Sequence, residues 1–134
     1  MNPRFLPPFL LLAGACDALT GLLLLVSPLF TLDLMGIPVH PTEPVYLQFI
    51  GAFVFAVGSS YFRPFLHRDP AAFHTAARHT LAATAWIRVC IASFTVVALA
   101  RHDLHARWVA VTATDVSLAL LQLFWLTRFR SPHD

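Results

Sequence analysis

The chain has 134 residues, of which 57% are hydrophobic and 12% are charged, about half the ~25% charged share of an ordinary soluble domain. Its formal charge is only +2, it contains no lysine, and its longest basic run is Arg128-Phe129-Arg130. That pattern excludes a polybasic tail and, with it, a nucleic-acid partner. A mean hydropathy of +0.68 points to a membrane protein whose first partner is the lipid bilayer.

The first apolar stretch covers about residues 9–30 and follows Pro7-Pro8, with Pro28 near its end. Arg4 and the run Leu12-Ala13-Gly14-Ala15-Cys16 resemble a lipoprotein signal peptide. The apolar character nevertheless continues past the cysteine through Leu22-Leu23-Leu24-Leu25-Val26, whereas a cleaved signal ends its apolar region near the cut. The segment therefore reads as a true span. The second stretch, about 44–62, opens at Pro44, which suits a first helical turn because its missing N–H would have no partner there. The third covers about 80–100 and the fourth about 106–126. Each is close to the ~20 residues a helix needs to cross the hydrocarbon core. The absence of strand-length alternation favours helices over a closed barrel.

Short connectors at about 31–43, 63–79 and 101–105 separate these stretches. They leave no room for a soluble domain and make consecutive helices antiparallel neighbours. The expected fold is all-α: residues 1–134 form a single integral membrane domain, a four-transmembrane-helix up-down bundle. Arg4, Arg63, Arg68, Arg78, Arg128 and Arg130 would share one side, against Arg101 and Arg107 with Asp33, Glu43 and Asp103 on the other. The arginine-rich side is expected to be cytoplasmic, so both termini are predicted inside. Trp108 and Trp125, near opposite ends of the fourth span, fit interfacial anchors. Cys16 and Cys90 lie within spans, have no CxxC spacing, and read as small buried hydrophobes.

Asp17, Arg88 and Asp115 carry charge deep in apolar stretches. Such groups are costly at bilayer depth, are normally turned inward and paired, and often mark function. At 1.5 Å rise per residue, Asp17 and Arg88 lie about eight residues, roughly 12 Å, from the inner side. Asp115 lies about nine residues from the outer side, a few ångströms further outward, a gap that an arginine side chain spans. One guanidinium serving two carboxylates is therefore expected. It leaves a formal −1, to be relieved by a proton, a bound cation or water. Helical spacing groups Gly14, Asp17, Ala18 and Gly21 on the first span, and Gln48, Ala52, Phe55 and Ser59 on the second, beside Gly51 and Gly58. It groups Thr84, Arg88, Ala92 and Thr95 on the third, and Thr112, Asp115, Ala119 and Gln122 on the fourth. These small and polar stripes should meet inside, leaving Leu, Val and Phe to face lipid.

The candidate ligand-binding or proton-handling residues are Asp17, Arg88, Asp115, Gln48, Gln122 and Thr84. The histidines at 67, 74 and 79, and at 102 and 105, lack the convergent ligand set of a metal site. Ser59-Ser60-Tyr61 has no triad partner, and there is neither a phosphate loop nor HExxH. No catalytic residue, metal or cofactor is identified. The leading expectation is a non-enzymatic membrane subunit, or a protein binding a lipophilic, quinone-like ligand through Arg88. The alternatives are a proton-coupled or small-solute transporter acting as a homodimer and, behind it, a membrane-embedded enzyme with an Asp as general acid.

Four segments carry a family resemblance: Leu34-Met35-Gly36-Ile37-Pro38 after the first span, Phe49-Ile50-Gly51-Ala52-Phe53-Val54-Phe55-Ala56-Val57-Gly58 in the second, Trp86-Ile87-Arg88 in the third and Thr114-Asp115 in the fourth. In these the chain resembles the small bacterial DoxX-like four-helix membrane proteins. The resemblance implies a four-helix bundle in the inner membrane, in some members a subunit of a quinone-linked oxidoreductase. It transfers no catalytic residue, and the acidic residue common in the second span of that group is not evident here.

Overall fold

The computed structural model describes residues 5–38 and 40–128. Arg4 and Arg130, two of the six arginines assigned to the inner side, lie outside them, as do both termini. The described residues form helices and connecting turns with no strand: α1 (Leu6–Val26), α2 (Pro28–Leu34), α3 (Val45–Ser60), α4 (Pro70–Ala100) and α5 (Val109–Arg128), with 3-10 turns at Arg63–Leu66 and Ala106–Trp108. Three helical segments are long and apolar enough to cross a membrane: Leu6–Val26, Pro70–Ala100 and Ala106–Arg128. At 16 residues, α3 is apolar but only about 24 Å long. The helices expose large apolar side chains, such as Leu12 at 72%, Phe49 at 75% and Trp86 at 70%. A surface of that kind needs an apolar surrounding.

The chain divides into two compact units, one ending at Phe73 and the other beginning at His74. In the first, α1 and α3 run antiparallel along a seam of glycines spaced seven apart, two helical turns each. Gly21 lies against the backbone of Phe55 and Gly51, and Gly58 against the backbone of Asp17 and Ala18. A Cβ on Gly51 would stand 2.8 Å from the Gly21 carbonyl oxygen, and one on Gly14 would stand 2.8 Å from Tyr61 Cβ. Such close approach lets backbones attract each other where burial of apolar surface supplies no drive. The buried face of α3 is therefore Leu47, Gly51 and Gly58. This corrects the expected stripe of Gln48, Ala52, Phe55 and Ser59: Ala52 and Phe55 are exposed, because contact requires the residues without side chains.

The first apolar stretch is not one helix to residue 30. It breaks at Ser27 (φ −144, ψ 69), because Pro28 offers no N–H to the Leu24 carbonyl and cannot continue the ladder. Ser27 O accepts from both the backbone N–H (3.0 Å) and the hydroxyl (2.8 Å) of Thr31, which restarts the chain as α2. This helix ends on Gly36 at φ 71. Ile37 N–H closes onto Leu32 O at 2.9 Å, and Leu32 and Ile37 are both buried. That is the αL termination with its apolar clasp.

The connector at 63–79 is likewise more ordered than its polarity suggests. Asp69 Oδ2 accepts the Ala72 N–H at 2.8 Å and Asp69 O accepts the Phe73 N–H at 2.9 Å. With Pro70 opening the helix, this is an N-cap followed by proline at the first helical position. It starts α4 ten residues before the apolar stretch at 80–100. Helix α4 ends on His102 at φ 61, with Asp103 N–H bonded to Ala98 O at 2.9 Å.

Both cysteines are free and exposed, contrary to the expectation of burial. Each stands two residues from a buried position, Gly14 or Arg88, and two residues is about 200° around a helix.

Gly58→Ala should lower the unfolding free energy in detergent by about 1–3 kcal/mol, the usual cost of overpacking. Ala52→Gly, on the exposed side of α3, should cost no more than the ~1 kcal/mol of glycine helix propensity. Chemical denaturation followed by circular dichroism measures both; equal losses would deny the seam its role.

Candidate functional site: a polar column between α4 and α5

Helix α4 buries Ala77, Leu81, Thr84, Ala85, Arg88, Ala92, Thr95 and Ala98. These residues recur every three or four positions and so form one stripe. Helix α5 buries Thr112, Ala119, Gln122 and Trp125, with Asp115 half-buried between them. The polar groups Thr95 and Arg88 of α4 meet Thr112 and Asp115 of α5 and bind the two helices together. Trp125, three residues after Gln122, also belongs to this buried stripe.

Two contacts fix the register. Thr112 Oγ1 donates to Thr95 Oγ1 at 2.9 Å, and Thr95 Oγ1 donates to Ala92 O at 3.1 Å. Further along, Arg88 Nη1 donates to Asp115 Oδ1 in a charged pair. Together they make α4 and α5 antiparallel. The threonine register places Asp115 near the level of Ala92, about 6 Å from Arg88 along α4 at 1.5 Å per residue. The long arginine side chain covers that distance. Arg88 is only 5% exposed, so the pair sits at low dielectric, where desolvation is costly and loss of either partner costs more.

By the same register, Gln122 lies at the level of Thr84 and Ala85. Gln122 and Thr84 are fully enclosed, at 0% and 1% exposure. The Thr84 hydroxyl donates to Thr80 O at 2.8 Å. Polar groups thus recur from Thr84 to Thr95, about 16 Å along α4. Helical spacing puts Thr95 and Thr112 on these stripes, but spacing alone does not indicate that their hydroxyls meet.

The remaining candidates belong to the first unit. Gln48 Nε2 donates to Leu25 O at 3.1 Å. Leu25 is in the last turn of α1, where carbonyls run out of intrahelical donors, and Pro28 supplies none. Gln48 is thus a cap across the α1–α3 seam. Asp17 is half-buried on α1, with its backbone against Gly58.

The buried pair predicts an asymmetric cycle. Arg88→Gln alone should destabilise the protein by about 3–5 kcal/mol, since it leaves a carboxylate without its cation. The double variant R88Q/D115N should recover most of that loss, because two amides can hydrogen-bond to each other. Thr112→Val should cost about 1 kcal/mol or less. Unfolding titrations of wild type, R88Q, D115N, R88Q/D115N and Thr112→Val measure this, and additive R88Q and D115N effects would mean that the pair carries no coupling. No protein-family model, curated protein or solved structure matches the chain.

Proposed function

We propose that the chain is a four-span protein of a bacterial inner membrane, arginine-rich side inward, that binds a lipophilic molecule with a carbonyl or anionic head at the α4–α5 polar column. The observation that carries this reading is a buried Arg88–Asp115 pair between two helices each long and apolar enough to span a bilayer. A structural clamp needs no more than the pair itself. Here the polar character extends to Thr84 and Gln122 on one side and to Thr95 and Thr112 on the other. A guanidinium has five N–H donors in a fixed fork, enough to hold Asp115 and also present a donor to a ligand oxygen. The lipid-like part of such a ligand would lie along the apolar helix surfaces. A quinone ring or a fatty acyl carboxylate has the required chemistry. The resemblance to DoxX-like proteins favours the same role, that of a membrane subunit serving a quinone-linked partner, with no catalytic step of its own.

The length of the column favours one other reading, movement of a proton or small solute through a homodimer with Asp115 or Asp17 carrying the charge. A membrane-embedded enzyme is the weaker alternative.

Mass spectrometry of gently released protein tests the first reading. Wild type should carry a co-purified lipophile. R88Q/D115N, folded by circular dichroism, should carry at least tenfold less, the loss of about 1.4 kcal/mol from a charge-assisted bond. Equal occupancy in the two proteins would reject the site. Proteoliposomes showing proton flux that D115N abolishes would favour transport instead.

A further inference from the structure

Residues 62–69, between α3 and α4, form a compact surface that the polar column does not use. The 3-10 turn Arg63–Leu66 is closed by Phe65 N–H to Phe62 O and His67 N–H to Pro64 O, both at 3.1 Å. Pro64 is buried beneath it. The Phe65 ring meets the Phe73 ring edge-on at 5.4 Å, which holds the turn against the first turn of α4. What this frame presents outward is unusual for a connector. Leu66 is 80% exposed, and Phe62 and Phe65 are also exposed. Arg63, His67 and Arg68 are exposed beside them.

The charges on this surface are not spent internally. Among the described residues, Arg88 pairs with Asp115 and Arg101 pairs with Asp103 at 3.2 Å, but neither Arg63 nor Arg68 is in an ion pair. The nearby acid, Asp69, directs Oδ2 to the N–H of Ala72. Apolar side chains next to free guanidinium groups match the boundary between acyl chains and headgroups, where aliphatic and aromatic groups enter the hydrocarbon and arginines stay at the phosphates. The turn directly follows an apolar helix, α3, which places it at a membrane edge on the reading above. An arginine fork also fits a phosphodiester in the bidentate manner that lysine lacks.

We infer that residues 62–69 form a folded binding site for the phosphate headgroup of an anionic phospholipid, with Arg63 and Arg68 on the phosphate and Leu66, Phe62 and Phe65 among its acyl chains. The site rests on the proposed membrane placement but is independent of any ligand at Arg88. It also differs from a polybasic tail, since only two arginines act, one in the Arg63–Leu66 turn and one just after it.

The experiment uses the full chain in micelles containing equal phosphatidylglycerol and phosphatidylcholine, with native mass spectrometry counting each bound lipid. Wild type should retain phosphatidylglycerol preferentially. Each arginine near an anionic surface is worth about fivefold, about 1 kcal/mol, so R63Q/R68Q should reduce the preference by roughly 25-fold. R101Q/R107Q removes the same net charge from the segment between α4 and α5 and should keep it. No preference in wild type, an unchanged preference in R63Q/R68Q, or an equal loss in R101Q/R107Q would each overturn the assignment. Displacement of the lipid by millimolar inorganic phosphate would overturn it as well, by showing a free-anion site. If R63Q/R68Q does not fold, salt decides: the wild-type preference should fall several-fold between about 0.05 and 0.5 M as screening shortens, and a salt-independent preference rejects the arginine contacts. Loss of this preference with the Arg88 lipophile still bound, or the converse, separates the two sites.

Discussion

In hydrocarbon, lipid chains are as apolar as leucine, so burying leucine against leucine gives two helices little reason to associate. What remains is close approach of backbones and direct polar contact. Each unit of this protein relies on one of the two. Helices α1 and α3 use the first, through glycines whose missing side chains bring the carbonyl of Gly21 against the backbone of α3. Helices α4 and α5 use the second, through the Arg88–Asp115 pair and the Thr95–Thr112 hydroxyl contact. The remaining architecture follows from these seams. Leucine and phenylalanine are left to face outward because the inward positions must be small or polar.

The two devices differ in what they permit. A glycine seam is purely steric and offers a ligand no chemistry. A buried ion pair is marginal as a source of stability, since desolvation offsets most of its Coulomb attraction. It does, however, keep a strong hydrogen-bond donor at a defined depth. That is why the candidate site belongs to the α4–α5 seam, and why Gln48 serves instead to complete the last turn of α1.

Periodicity made the α4 and α5 stripes legible, because arginine, threonine and glutamine on an apolar helix have only one favourable direction to face. It misplaced the stripe on α3 because Gln48 and Ser59 drew attention to a polar face when the contact face was defined by Gly51 and Gly58. Hydropathy located where the apolar residues stop and so missed where α4 starts; the Asp69-Pro70 pair was the readable signal of an N-cap. The break at Ser27 is readable too, from Pro28, which cannot continue the helical ladder. Its effect, a separate α2 ending on Gly36, depended on whether Thr31 could take over the Ser27 carbonyl. The Thr95–Thr112 contact required the helix register, which single-helix patterns do not contain.

The unequal lengths of the helices have a further consequence. With α3 as a span, its roughly 24 Å lies alongside the roughly 31 Å of α1, while the α4 helix reaches about 46 Å. On the proposed reading, a bilayer around α1 and α3 cannot keep one thickness and must thin beside α3. Elastic deformation of the surrounding lipid is then an energetic partner of this protein, which should favour thinner membranes and attract neighbours that relieve the same dimple.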